Sequence, residues 1–183
     1  MKSFVLAALI GATAASMQLS IPEFFESLKT DSRCPGSPAL IHAKTEIQTE
    51  FTNSCSDVIA VVTARAKGST DGSWTDPHNG GKYTITDSSA TSMSFSHLTG
   101  NGLYTDLVKF TFSDSQNGGC SLFACSESQV TSVLDYSTNY CNSHDLYCEN
   151  RLCHISNDLP VLQYSEKISA SSGQESETDC YTK

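Results

Sequence analysis

The sequence predicts an α+β fold, an antiparallel β-meander of about four or five strands packed against one or two helices and stapled by disulfides. Three observations predict it. Short segments between Trp74 and Cys125 alternate apolar and polar residues and are separated by Gly- and Asn-rich turns. Other segments repeat apolar residues at helical spacing. Eight cysteines, an even number, follow a leader-like N-terminus.

The chain opens with "MKSFVLAALIGATAASM". Lys2 supplies a positive start, Phe4 to Ala12 a short apolar run, and Ala12 to Ser16 the small residues a signal peptidase needs. We therefore expect residues 1–16 to be a signal peptide cut near Ala14–Ser16, a secreted extracellular protein, and a single domain over 17–183. No later run is long and apolar enough to predict a membrane span. Removing Lys2 with the leader leaves 10 basic and 20 acidic residues. That balance argues against nucleic acid as a partner and suits a monomer in solution.

"SIPEFFESLK" from Ser20 reads as a short helix capped by Ser20, with Phe24, Phe25 and Leu28 on one face. "TEIQTEF" at Thr45 to Phe51 alternates as a strand, although Leu40, Ala43, Ile47 and Phe51 also fit a helical period. "CSDVIAVVTARAKG" predicts a helix with Ser56 as N-cap, a stripe of Val58, Ile59, Val62 and Ala66, and Gly68 as its stop. The meander follows. "KYTIT" points Tyr83 and Ile85 inward, "TSMSFSHL" Met93 and Phe95, and "DLVKFTF" Val108, Phe110 and Phe112, with turns at "GNG" and "SQNGG".

"CSLFAC" alternates too, and the odd spacing of Cys120 and Cys125 sends them to opposite strand faces and so to different partners. Val130, Val133 and Leu134 have the spacing of a short helix capped by Ser128. "LPVLQYSEKI" reads as a last edge strand, and a polar tail begins near residue 168. All of Cys34, Cys55, Cys120, Cys125, Cys141, Cys148, Cys153 and Cys180 are expected in four disulfides. Their pairing is not legible from spacing.

Two stretches carry candidate chemistry. "GSWTDPHNGGKY" holds the only Trp, Trp74, with Asp76, His78 and Asn79 on a turn, and reads as a loop for a small ligand or a sugar. The competing structural reading makes Trp74 a core plug beside a Pro-Gly turn. "CNSHDLYC" resembles the His-Asp segment of secreted phospholipase A2, in which the His activates a water and the Asp holds calcium. That resemblance implies a calcium-dependent hydrolase acting through His144 and Asp145. The segment departs from the pattern: Tyr140 replaces the first cysteine of a doublet, Cys148 comes one residue late, and a stretch poor in helix formers stands where that family has a long helix.

The competing structural reading of "CNSHDLYC" is a stapled loop with an exposed His-Asp pair. Cys141, His144, Cys148, Cys153 and His154 lack the two-residue Cys spacing of a specific zinc site, so no metal and no cofactor are expected. "GSW" and "YTD" resemble the lipocalin-type barrel, although about 50 residues of the expected mature chain precede Gly72, whereas that family's motif sits near the mature N-terminus. Taken whole, "DGSWTDPHNGGKYT" with "CSESQVTSVLDYSTNYCNSHDLYC" resembles small secreted cysteine-rich proteins of unicellular eukaryotes, a likeness that implies a fold and no reaction. The leading functional expectation is a non-enzymatic binding module for an extracellular ligand or protein. The phospholipase-like hydrolase is the alternative.

Overall fold

Six strands form one antiparallel sheet in a computed structural model that describes residues 33–156, 158–171 and 175–181. The strands are β1 Lys44–Phe51, β2 Lys82–Ser88, β3 Ser92–Leu98, β4 Thr105–Asp114, β5 Cys120–Ser128 and β6 Tyr164–Ala170. Their order across the sheet is β2-β3-β4-β5-β1-β6. The meander β2 to β5 is continuous, and β1 inserts between β5 and the edge strand β6. The helices are α1 Cys55–Asp71 and α2 Thr138–His144, and a 3-10 turn spans Glu177–Cys180. The signal segment and the helix expected from Ser20 lie outside the described residues.

The class is the expected one, with six strands in place of four or five. Tyr83, Met93, Phe95, Val108, Phe110 and Phe112 are all buried on the inner face, as alternation requires. Thr45 to Phe51 is a strand because cross-strand partners on both sides, β5 and β6, satisfy its backbone. Inner-face residues line up across the sheet in rows. Met93, Phe110, Ala124, Ile47 and Ile168 form the apolar middle row. Tyr83, His97, Asp106 and Ser128 form a polar row toward one end. Both helices pack on this face, α1 over β2, β4 and β5, and α2 over β5, β1 and β4.

Three local expectations are corrected. Helix α1 is capped by Ser54, whose hydroxyl accepts from Asp57 N, because Cys55 is already helical and Ser56 lies inside the first turn. It runs past Gly68 to a left-handed Gly72. Gly68 instead admits Trp74, since a Cβ there would lie 2.8 Å from the Trp74 Cβ. The helix expected over Val130 to Leu134 is absent: β5 extends through Ser128, and Val133 and Leu134 are exposed in irregular chain. The helix forms later, at α2, despite poor formers, because Asn139, Tyr140, Asn142 and His144 bury side chains that all find partners. Tertiary packing outweighs propensity there.

The disulfides are Cys34–Cys125, Cys55–Cys120, Cys141–Cys180 and Cys148–Cys153. Cys120 and Cys125 do face opposite ways. The first ties the N-terminus of α1 to β5, and the second ties residue 34 to the outer face. On that outer face the Arg33 guanidinium stacks 4.3 Å from the Phe123 ring centroid, Ser37 Oγ donates to Ser128 O, and Gly36 N donates to Glu127. The polar C-terminal segment is held by the Cys141–Cys180 bridge, and β6 continues to Ala170, beyond the boundary expected near 168.

The bridges differ in the loops they close, with sequence separations of 91 for Cys34–Cys125 and 5 for Cys148–Cys153. Chain entropy then assigns about 4–5 kcal/mol to the first and about 2 kcal/mol to the second. Paired Cys→Ala variants, compared by urea unfolding, are expected to preserve that order. An equal cost for the two bridges would show that loop closure does not govern their contribution.

Candidate functional site

The loop 74–79 joins α1 to β2 and plants Asp76 beneath the polar row of the sheet. Asp76 is 2% exposed, yet its carboxylate accepts three hydrogen bonds: His78 N at 2.9 Å, Gly81 N at 3.0 Å and His97 Nε2 at 3.0 Å. Burial pushes this carboxyl upward, but the His97 bond, the His97 charge and the other donors outweigh burial and bring it down to about 2. Gly81 is required for this approach, since a Cβ there would sit 2.0 Å from His97 Nε2. The Tyr83 ring lies 4.4 Å from the His97 ring and closes it off.

Asp145 meets the same layer from the end of α2. It is fully buried, and neither carboxyl oxygen has a well-formed hydrogen bond among the described residues. Burial first, and then the neighbouring Asp76 carboxylate, push its pKa well above the ordinary range. Two adjacent carboxyls with opposite shifts share one charge more readily than they carry two. Arg65 approaches from α1, its Nη1 donating to Asp145 O at 3.4 Å and its Nη2 3.8 Å from Glu149 Oε1. Burial lowers the Arg65 pKa, and Glu149 and Asp145 oppose that shift.

His144 precedes Asp145 but serves a different cluster. Its Nδ1 lies 3.3 Å from Glu166 Oε2 and its Nε2 lies 3.2 Å from Tyr181 OH. Tyr140 and Tyr147 donate to the same Glu166, and Thr49 Oγ1 donates to Tyr147 OH at 3.3 Å. Burial raises Glu166, but the bonds from His144, Tyr140 and Tyr147 more than reverse it. Both ring nitrogens of His144 are therefore engaged, and the ring is fully buried. His144 and Asp145 are buried where an exposed loop was expected. They point into two separate networks and do not converge on one reacting atom.

The concave surface nearest the polar row is a cleft of about 300 Å³, toward the N-terminal end of β4. Its floor carries Asp106 and Ser128 from the polar row, with Asp135 from the segment before α2. Asp106 accepts from Asn142 Nδ2 at 2.8 Å, and burial raises its pKa, with the Asn142 bond and His97 only partly offsetting. Asp135 is 8% exposed. Its Oδ2 accepts from Asn139 N and Nδ2, while its Oδ1 has no partner among the described residues. The walls carry four exposed apolar side chains, Tyr104, Val130, Leu134 and Tyr136, among the hydroxyl residues Thr99, Thr131, Ser132 and Thr138. Behind Asp135 the backbone is left-handed at two non-glycine residues, Tyr136 (φ 51°) and Ser137 (φ 63°), which costs about 1–2 kcal/mol each.

A larger depression, of about 880 Å³, lies at the opposite end of β4, but it is open, and of its two acidic residues, Glu50 and Asp114, Glu50 already accepts from the Ser121 hydroxyl at 2.7 Å.

The residues expected to form a binding loop are placed as follows. Trp74 is buried, its Nε1 donating to Cys153 O at 3.0 Å. Asp76 anchors the polar layer. Asn79 Oδ1 accepts from Gly100 N at 3.1 Å, next to Thr99 of one cleft wall. His78 Nε2 lies 3.5 Å from Thr138 Oγ1 of the other wall. Three of the four thus stand behind the cleft. Asp106, Asp135, Leu134 and Tyr136 did not emerge from the sequence, because apolar residues at helical spacing look alike whether they line a core or a cleft. The one local signal was "LDYST", which suits a turn ahead of a helix better than a helix interior.

The two other acid-containing groupings are not metal centres as they stand. Cys34 and Cys125 beside Glu127, and Cys148 and Cys153 beside Asp145, are both disulfides. No protein-family model matches the chain, and no curated protein and no solved structure matches it.

The opposed shifts predict how stability depends on pH. Burial, and then the adjacent Asp76 carboxylate, make Asp145 hold its proton more tightly in the fold than in the unfolded chain. Its contribution is therefore present at low pH and fades as pH rises through its raised value. Asp76 acts oppositely, contributing above the ordinary carboxylate range and losing that contribution as pH falls toward about 2. Asp145→Asn removes the first effect and, through its contact with Asp76, alters the second. It is expected to stabilise the protein at pH 7 by about 1–3 kcal/mol, with the gain shrinking by pH 4. Urea unfolding at both values checks this, and a gain that ignores pH would rule out the assignment.

Proposed function

We propose that this is a non-enzymatic binding module that works outside the cell, and that the cleft between residues 99–106 and 128–138 is its ligand seat. The observation that carries the reading is the wall of Tyr104, Val130, Leu134 and Tyr136, left exposed around a buried polar floor. Soluble domains rarely leave apolar side chains grouped in this way unless something covers them. The volume suits a small ligand or a single side chain. The strained Tyr136-Ser137 pair supports the reading, since backbone held in a costly conformation clusters at binding sites. Four disulfides and the leader-like start support work in an oxidising compartment.

Amide chemical shifts test this. A fragment panel of aliphatic amines, carboxylates, alcohols and monosaccharides is titrated into the 15N-labelled protein. Shifts are expected to concentrate at residues 99–106 and 128–138 and to vanish in Leu134→Asp. Binding that maps instead to the depression beside Glu50 and Tyr164 would overturn the assignment. Tyr136→Gly is expected to leave stability unchanged or raise it by up to about 1 kcal/mol, because glycine accepts the left-handed backbone. It is expected to weaken fragment binding at the same time. A clear loss of stability in urea would mean that Tyr136 holds the fold together and not the seat.

A further inference from the structure

We infer that the ligand of this cleft is an organic cation, an ammonium or guanidinium group carried on an apolar body. The inference rests on the cleft being the ligand seat and names the chemistry that fills it. Two carboxyls, Asp106 and Asp135, meet at the floor, and none of the described residues lining the cleft is Lys, Arg or His. Asp135 is more than nine-tenths buried, lines the cleft and keeps Oδ1 without a partner, while Oδ2 is spent on Asn139. A buried carboxylate oxygen with no donor is costly, and a cation with N–H groups is the ligand that repays it most fully. A neutral alcohol supplies one donor and no charge. An anion adds repulsion.

Above the acids Tyr104, Val130, Leu134 and Tyr136 stand among Thr and Ser side chains, so an aliphatic or aromatic stem on the charged group has apolar surface to cover. The Tyr104 and Tyr136 rings at the rim also favour cations over anions at their faces. Support of the first turn of α2 uses Oδ2 of Asp135 and leaves Oδ1 over; a cation on an apolar stem accounts for that spare oxygen beneath exposed hydrophobics. Such a group occurs on free alkylamines and on Lys or Arg side chains of a partner protein. The volume of about 300 Å³ admits either.

Isothermal titration calorimetry with matched probes separates the outcomes. The probes are 2-phenylethylammonium, 2-phenylethanol and phenylacetate, and the peptide Ac-Ala-Leu-Lys-Leu-Ala-amide with its norleucine counterpart. The ammonium probe or the lysine peptide is expected to bind at least tenfold more tightly than its uncharged partner. A preference for the free amine identifies a small-molecule source, and a preference for the peptide a protein source. Asp135→Asn is expected to erase the preference.

Asp135 also supports α2, so Leu134→Lys, at a position 66% exposed, serves as a second variant that keeps the core intact. Loss of the apolar wall at this position weakens every probe, and the tethered ammonium is expected to weaken the cationic probe at least tenfold more than it weakens 2-phenylethanol. If 2-phenylethanol or phenylacetate binds as well as the ammonium at these residues, the cation inference falls while the cleft remains the seat. If no probe binds and fragment shifts map elsewhere, both fall.

Discussion

The polar end of the molecule is organised around one carboxylate, that of Asp76. Three donors from three different stretches converge on it: the loop through His78, the start of β2 through Gly81, and the end of β3 through His97. Because the accepting carboxylate and two of the donors, Gly81 and His97, are buried, their geometry is fixed together, and a shift in one displaces the others. After burial itself, the same group is the main influence raising the pKa of its neighbour Asp145, and so couples the end of α2 to the sheet. The cleft inherits its shape from this arrangement, since Asn79 and His78 of the Asp76 loop reach both of its walls.

The sheet separates two polar networks by an apolar band. Asp76, His97, Asp106 and Asn142 occupy one side, and Glu166, His144, Tyr140 and Tyr147 the other. Met93, Phe110 and Ile47 lie between. Helix α2 spans the band, which is why its consecutive residues His144 and Asp145 report to different ends. The second network is closed and satisfied, with Glu166 taking every donor that faces it. The first retains unpartnered atoms at Asp135, Asn142 and Asp145. That asymmetry leaves hydrogen-bonding capacity in the first network that the second, among the described residues, has already used.

Alternation made the meander legible, because β2 to β4, and β5 as far as Phe123, fully bury residues on one face only and period two survives in the sequence. It also forced Cys120 and Cys125 apart. The boundaries of α1 were less legible, since Ser54 and Ser56 are chemically equal caps and only the entry of Cys55 into the helix chooses between them. Val130 to Leu134 misled because helical spacing does not reveal what covers a stripe. Here nothing among the described residues does, and the segment stays irregular. Of the candidate site, the Trp74 to Asn79 loop stood out as a cluster of unusual residues. The floor carboxyls, distant from one another in sequence at 106 and 135, did not.

The sequence by itself determined the class of fold, the faces of the meander strands and the even set of cysteines, because these follow from local periodicity and composition. Only the tertiary structure decided which cysteines pair, where α2 forms and which carboxyl is left half-used. Those outcomes depend on what lies opposite each residue after the chain has returned through β1 and β6. A carboxylate acquires its energy from partners brought near by topology, and neighbours in sequence do not supply them.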